Sequence, residues 1–191
     1  MRMVLGAGVL LLLAGCAPQG GTSFSGSQPT LEAAAARLPA EAAGFTRGST
    51  VWHERERPGT GASVDYAGPG RAAVATVSVY DRSQPPLADA DPRLGAEFSS
   101  AVSEVVTVAG TRTSQQIAES GRTTLNVPGG APLSCARLDG TYGRQPVNTL
   151  VCLGAAAGRY LKVQVTSPSR QVRPVDPMPF IVEVTQAARG A

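Results

Sequence analysis

Residues 61–80 read GASVDYAGPGRAAVATVSVY and predict two neighbouring strands of an antiparallel sheet. Apolar and polar residues alternate from 62 to 66, which is the period-two pattern of a half-buried strand. The Gly-Pro-Gly sequence at 68–70 is typical of a turn. Residues 72–80 are rich in valine and predict the next strand. Because the connection is short, the two strands are expected to run antiparallel.

Further strands are predicted wherever short β-branched or alternating segments lie between turn signals. These segments are residues 49–56, 122–127, 133–140, 147–154 and 160–166.

Two helices are predicted from capping signals and apolar spacing. Asp91 followed by Pro92 favours a helix start, and the apolar residues at 94, 98, 102 and 105 form one stripe, which predicts a helix over 92–108. Asp176-Pro177 repeats the signal and predicts a closing helix up to residue 188. A short helix over 31–37, capped by Thr30, and a helical turn at 115–119 are also predicted.

The element order β-β-β-α-β-β-β-β-α indicates an α+β fold. We expect a mainly antiparallel sheet of about six to seven strands with two packed helices. A single α+β domain is expected over residues 30–191, with its core beginning at about residue 44. The order of elements resembles that of PsbP and Mog1-type sandwiches, a likeness that rests on no motif residue and implies no shared function.

Two cysteines in this part of the chain predict a disulfide. A hairpin centred between Gly143 and Arg144 places Cys135 directly opposite Cys152 on a neighbouring strand. Closing such a loop contributes about 3 kcal/mol in the chain-entropy model. The alternative is a redox-active pair, which usually has the C-x-x-C spacing that this pair lacks.

Residues 1–16 combine a positive start at Arg2 with an apolar run that ends in Leu-Ala-Gly-Cys. This layout is typical of a secretory signal, and the apolar run is too short for a membrane-spanning helix. The ending resembles the lipobox of bacterial lipoproteins. The resemblance implies that residues 1–15 are a signal peptide, that Cys16 is lipidated and that 16–29 form a lipidated, flexible tether. An ordinary secretory signal with a fortuitous cysteine is the alternative.

The same resemblance implies a location in the cell envelope. Acyl chains on Cys16 would make the membrane the first partner of the protein, because two or more chains hold stably. Gram-negative lipoproteins with Asp after the cysteine tend to stay in the inner membrane, and this chain has Ala17. The expectation is therefore the periplasmic side of the outer membrane in a Gram-negative cell.

Charge and motif content exclude several classes of function. The net charge is +3, but the arginines are scattered among fourteen acids and form no basic stripe, so no nucleic-acid partner is expected. His53 is the only histidine and is placed on a predicted strand as a surface residue without companions for a zinc site. No G-x-S-x-G motif is present. The acids Asp81, Asp89, Asp91 and Asp139 match no calcium loop.

These observations favour a non-catalytic role over an enzyme, with no catalytic, cofactor-binding or metal-binding residue assigned. The leading hypothesis is a lipid-anchored interaction or assembly module that meets another envelope component, a protein or a small ligand. A periplasmic carrier of a small molecule or lipid is an alternative, with its pocket between the sheet and the helix at 92–108. A hydrolase of the envelope without a recognisable motif is another.

Overall fold

The structure, a computed structural model, describes residues 28–111 and 115–190. It confirms the α+β class, with one antiparallel sheet of eight strands, rather than six to seven, curled into a half-barrel. Three helices are present rather than the two expected to pack on the sheet, and the additional one is the short helix predicted after Thr30. The strands are β1 (Glu41–Ala42), β2 (Phe45–Trp52), β3 (Ala62–Ala67), β4 (Val74–Tyr80), β5 (Gln115–Leu125), β6 (Leu133–Tyr142), β7 (Gln145–Ala156) and β8 (Arg159–Pro168). The helices are α1 (Leu31–Ala36), α2 (Arg93–Thr111) and α3 (Met178–Arg189).

The sheet consists of two antiparallel meanders joined at their inner strands. The strand order is β1-β2-β3-β4-β8-β7-β6-β5, so β4 pairs with β8 at the centre. The long connection that contains α2 carries the chain from β4 to the far edge, β5. The chain then returns strand by strand towards the middle.

The first face of the sheet carries the larger part of the core. Buried side chains of alternate positions on β2, β3, β4 and β8 pack there against α1 and α3. The ring of Phe45 lies 4.3 Å from that of Phe180 on α3, and the ring of Tyr66 lies 5.1 Å from it. Burial of such aromatic side chains contributes strongly to stability because each removes a large apolar area from water.

Helix α2 covers only part of the second face of the sheet, the part formed by β6 and β7. Helix α2 buries Phe98, Ala101 and Val102 against the apolar residues of β6 and β7. Polar residues occupy the same face of β3, β4 and β8, where Ser78 is buried and the other side chains remain at least partly accessible. We call this surface the open face and define it by the residues Ser63, Asp65, Thr76, Ser78, Lys162 and Gln164.

The predicted hairpin and its disulfide are confirmed. β6 and β7 turn at Gly143 and Arg144, and Cys135 lies directly opposite Cys152. The two sulfur atoms are bonded at 2.04 Å, and both residues are fully buried on the first face.

One predicted strand has different bounds, and one predicted helical turn is a strand. The strand predicted at 49–56 begins at Phe45 and ends at Trp52, and His53–Arg55 form a 3-10 turn instead. The turn is held because the Glu54 carboxylate accepts hydrogen bonds from two backbone amides farther along the chain. The helical turn predicted at 115–119 is the start of β5, which pairs with β6 along its length.

The chain before α1 is held against the central hairpin of the sheet. The side chain of Gln28 donates a hydrogen bond to the carbonyl of Gly158, at 3.1 Å. Arg159 donates from Nη1 to the carbonyl of Pro29, at 2.6 Å. Cys16, the predicted signal peptide and most of the predicted tether lie outside the described residues. Within the described part of the chain, no helix is both long and apolar enough to cross a membrane.

Candidate functional site

A cavity of about 560 Å³ lies on the open face, beside α2. Its floor comes from β3, β4 and β8, one wall from α2, and its rim from the segment after β2 and the residue Arg82. The lining is mostly polar and consists of His53, Glu56, Arg57, Thr60, Ser63, Ser78, Tyr80, Arg82, Glu104 and Lys162.

The floor is built by strand register. Ser63 pairs with Ser78 across β3 and β4, and Ser78 pairs with Lys162 across β4 and β8. Residues that face each other across an antiparallel sheet lie on the same face, so these three side chains form one row. Their neighbours in sequence, such as Val77 and Val79, point to the core on the first face.

A chain of hydrogen bonds crosses this row. The Ser63 hydroxyl lies 2.9 Å from the Ser78 hydroxyl, and Nε2 of His53 lies 3.2 Å from the Ser63 hydroxyl. His53 is exposed, as predicted, but it belongs to the 3-10 turn on the rim and not to a strand. The turn therefore brings an imidazole over two hydroxyl groups.

The rim segment is fixed by Glu54. Its carboxylate accepts a hydrogen bond from the amide of Gly59 at 2.9 Å and another from the amide of Gly61 at 2.8 Å. Gly61 has φ +67°, and a Cβ at this position would lie 1.9 Å from the carbonyl oxygen of Val79. Only glycine fits here, because both the backbone conformation and the close approach exclude a side chain. The Glu54 carboxylate therefore closes this loop.

The wall at α2 contains a hydrogen-bonded cluster around Glu97. The Tyr80 hydroxyl donates to Oε1 of Glu97 at 2.8 Å, and Arg82 binds the same oxygen at 2.8 Å. Burial, followed by the charge of Glu97, raises the pKa of Tyr80 far above its ordinary value of 10.0. The phenol therefore stays protonated and acts as a donor.

Lys162 and Glu104 form the ion pair nearest the centre of the floor. Nζ of Lys162 lies 3.1 Å from Oε2 of Glu104, with side-chain exposures of 16% and 54%. Lys162 is the only lysine of the chain. The cation thus lies on the floor of the cavity, whereas its partner extends from α2 into solvent.

The cavity can bind a polar molecule, since it offers hydroxyl groups, cations and carboxylates together. His53 and Ser63 resemble part of a nucleophile–base pair, but a triad needs a third group that orients the histidine. In the described residues the one hydrogen-bond partner of the His53 imidazole is Ser63. The same part of the chain contains no group of three or more residues suited to hold a metal ion.

The residues singled out in the sequence do not assemble at this cavity, with the exception of His53. The disulfide of Cys135 and Cys152 lies on the opposite face. Asp81 approaches Arg159 at 3.7 Å, and Asp91 binds Arg93.

Asp139 lies within β6 and pairs with Asn148 on β7.

The lining residues Ser63, Ser78, Glu104 and Lys162 were not predicted. Alternation had marked Ser63 as the polar side of a strand, but the sequence contained no sign that β8 would lie beside β4. Neither a protein-family model nor a curated protein matches this sequence.

Proposed function

We propose that this protein is a non-catalytic binding module of the cell envelope, anchored through acyl chains on Cys16, and that the open face is its binding surface. The observation that supports the proposal most is that α2 covers only part of the second face of the sheet. Where α2 covers the sheet, the residues are apolar, and where it does not, they are polar and surround a cavity of about 560 Å³. That volume falls in the range of sites for small molecules.

The chemistry of the cavity supports binding more than catalysis. The Ser63 hydroxyl shares hydrogen bonds with both His53 and Ser78, and Lys162 is paired with Glu104. A nucleophile needs a base that a further group holds in position. We therefore assign these side chains to recognition.

The two alternative functions are a hydrolase and a lipid carrier. A hydrolase is favoured by one observation, the 3.2 Å contact between His53 and Ser63. A lipid carrier is less well supported, because charged and hydroxyl side chains dominate the lining of the cavity and α2 already fills the apolar part of the second face.

The proposal is tested by photo-crosslinking in living cells with the full, lipidated chain. A crosslinking amino acid is placed at Gln164 on the open face and, as a matched control, at the exposed Glu32 on α1, which covers the other face. We expect one reproducible envelope component to be captured from position 164 and not from position 32. Equal capture at both positions, or none at either, contradicts the proposal.

The hydrolase alternative is tested separately with a fluorophosphonate, which labels activated serine hydroxyl groups. We expect no labelling of Ser63. Labelling that disappears in Ser63→Ala and in His53→Ala would contradict a non-catalytic role.

A further inference from the structure

We infer that the cavity on the open face binds one anionic group, a carboxylate or a phosphate, carried by a hydroxylated small molecule, and that Glu104 occupies the place of this group on Lys162 until the ligand binds. The inference rests on the proposed function, since it names the ligand of the same surface.

Lys162 is the feature that selects an anion. An ammonium group has three N–H donors, and in the described residues one partner, Glu104, accepts from it. Its side chain is 16% exposed, so most of it is out of bulk water while the charge still faces the cavity. A partly desolvated cation attracts an anion more strongly than one on the open surface.

Glu104 is suited to leave. Its side chain is 54% exposed on α2, and among the described residues its one hydrogen-bond partner is Lys162. Because this carboxylate is exposed, water and side-chain entropy offset part of its attraction to Lys162. The pair at Asp91 and Arg93 is different, since three hydrogen bonds hold that carboxylate. An anion that also contacts the Ser78 hydroxyl, next to Lys162 in register, has the advantage over Glu104.

The balance of charge in the lining favours the same ligand. The lining contains three cations, at Arg57, Arg82 and Lys162, and two carboxylates, at Glu56 and Glu104. Arg82 is already paired with Glu97, so once Glu104 turns into solvent the lining has Arg57 and Lys162 against Glu56 alone, and its remaining charge is positive.

The size and the remaining side chains of the cavity indicate the body of the ligand. About 560 Å³ exceeds the needs of a bare ion. The hydroxyl groups of Thr60, Ser63 and Ser78 line the rest of the floor and rim, and hydroxyl groups both donate and accept hydrogen bonds. A small molecule with several hydroxyl groups and one anionic group complements this lining.

The test uses three probes of similar size: glycerate, glycerol 3-phosphate and neutral glycerol. The full chain is produced with [¹⁵N]lysine and studied by NMR spectroscopy in detergent. Because Lys162 is the only lysine, its backbone amide gives one signal that needs no further assignment. We expect this signal to shift with one or both anions at concentrations of about 1 mM or above and not with glycerol. A response to glycerate alone identifies a carboxylate ligand, and a response to glycerol 3-phosphate alone identifies a phosphate.

Variants then separate the two sides of the ion pair. Glu104→Gln removes the competing carboxylate, so the anion should bind about threefold more tightly. Glu119→Gln is the matched control: it removes the same charge from an exposed pair with Arg122, which is not part of the cavity, and should leave binding unchanged. Lys162→Met, followed by calorimetry, should weaken binding at least about tenfold, while circular dichroism verifies its fold.

Several results would overturn the inference: no shift with either anion, an equal shift with glycerol, or unchanged or weaker binding in Glu104→Gln. If these occur while crosslinks from position 164 persist, the open face remains the binding surface and only the anionic ligand is wrong. If position 164 also captures no more than position 32, the proposed function fails as well.

Discussion

The carboxylate of Asp91 precedes α2 and binds the first residue of that helix. It accepts hydrogen bonds from the backbone amide of Arg93 at 2.9 Å and from its guanidinium at 2.8 and 2.7 Å. The guanidinium hydrogen bonds, supported by the backbone amide and the positive charge, lower the pKa of Asp91 from 3.8 to about 2. Because the folded-state pKa lies below the unfolded one, ionised Asp91 stabilises the fold above about pH 4, and this stability is lost as the pH falls to about 2.

We predict that Asp91→Asn lowers the free energy of unfolding at pH 7 by about 1 kcal/mol, a value reduced for the solvent exposure of Arg93. The difference from the unmodified protein should shrink between about pH 4 and pH 2. Urea denaturation at several pH values measures it. The control is Asp89→Asn at an exposed carboxylate, which should change little. A difference that is the same at every pH would contradict this role of the charge.

The sequence correctly predicted a helix start at Asp91, but it did not predict that His53 lies in a 3-10 turn at the rim of the cavity. The Asp-Pro pair is local, and its chemistry needs no partner from elsewhere in the chain. The position of His53 depends on Glu54, whose carboxylate reaches amides five and seven residues away. The sequence showed Glu54 as one of several alternating charges, and nothing local distinguished it from a solvated side chain.

The hairpin of β6 and β7 is the element whose details were predicted best. Its turn residues and the alternation on both sides specify one register, which places Cys135 opposite Cys152. β5 was missed at its start because it is an edge strand: most of its described side chains are exposed, so its sequence has no apolar alternation to detect. The sheet count was low for a similar reason, since β1 has two residues and no pattern.

We predict that Cys135→Ala combined with Cys152→Ala lowers the free energy of unfolding by about 3 kcal/mol, because the unfolded chain is no longer constrained. Denaturant unfolding of the unmodified protein under reducing conditions should match that of the double variant. Under native conditions a reductant should act slowly, since both cysteines are fully buried. Two free thiols in protein purified from the periplasm would contradict the disulfide.

At the scale of the whole molecule, the membrane anchor remains a prediction from the sequence. We predict that Cys16→Ser releases the protein from membranes, because the acyl chains that hold it can no longer be attached. Membrane fractionation with detection of the full chain measures the release, and unchanged thermal unfolding of the domain is the control. Retention of the variant in the membrane fraction would contradict the anchor.

The open face could not be predicted from the sequence because it arises from the arrangement of the whole sheet. Ser63, Ser78 and Lys162 belong to three strands, and β8 reaches β4 only after α2 and three further strands. Glu104 and Lys162 are 58 residues apart. Alternation predicted which side of a strand was polar, but the position of α2 determined which polar residues stayed accessible.

The hydrogen bonds made by Gln28 and Pro29 determine where a pulling force on the N-terminal chain first acts on the domain. A load on the preceding chain meets first the hydrogen bonds to Gly158 and Arg159, at the turn between β7 and β8. These two strands lie in the interior of the sheet, with neighbours on both sides. If the N-terminus is anchored as proposed, tension is therefore met first at the middle of the sheet, whose strands are paired on both sides, and it reaches the edge strand β1 only after these hydrogen bonds break.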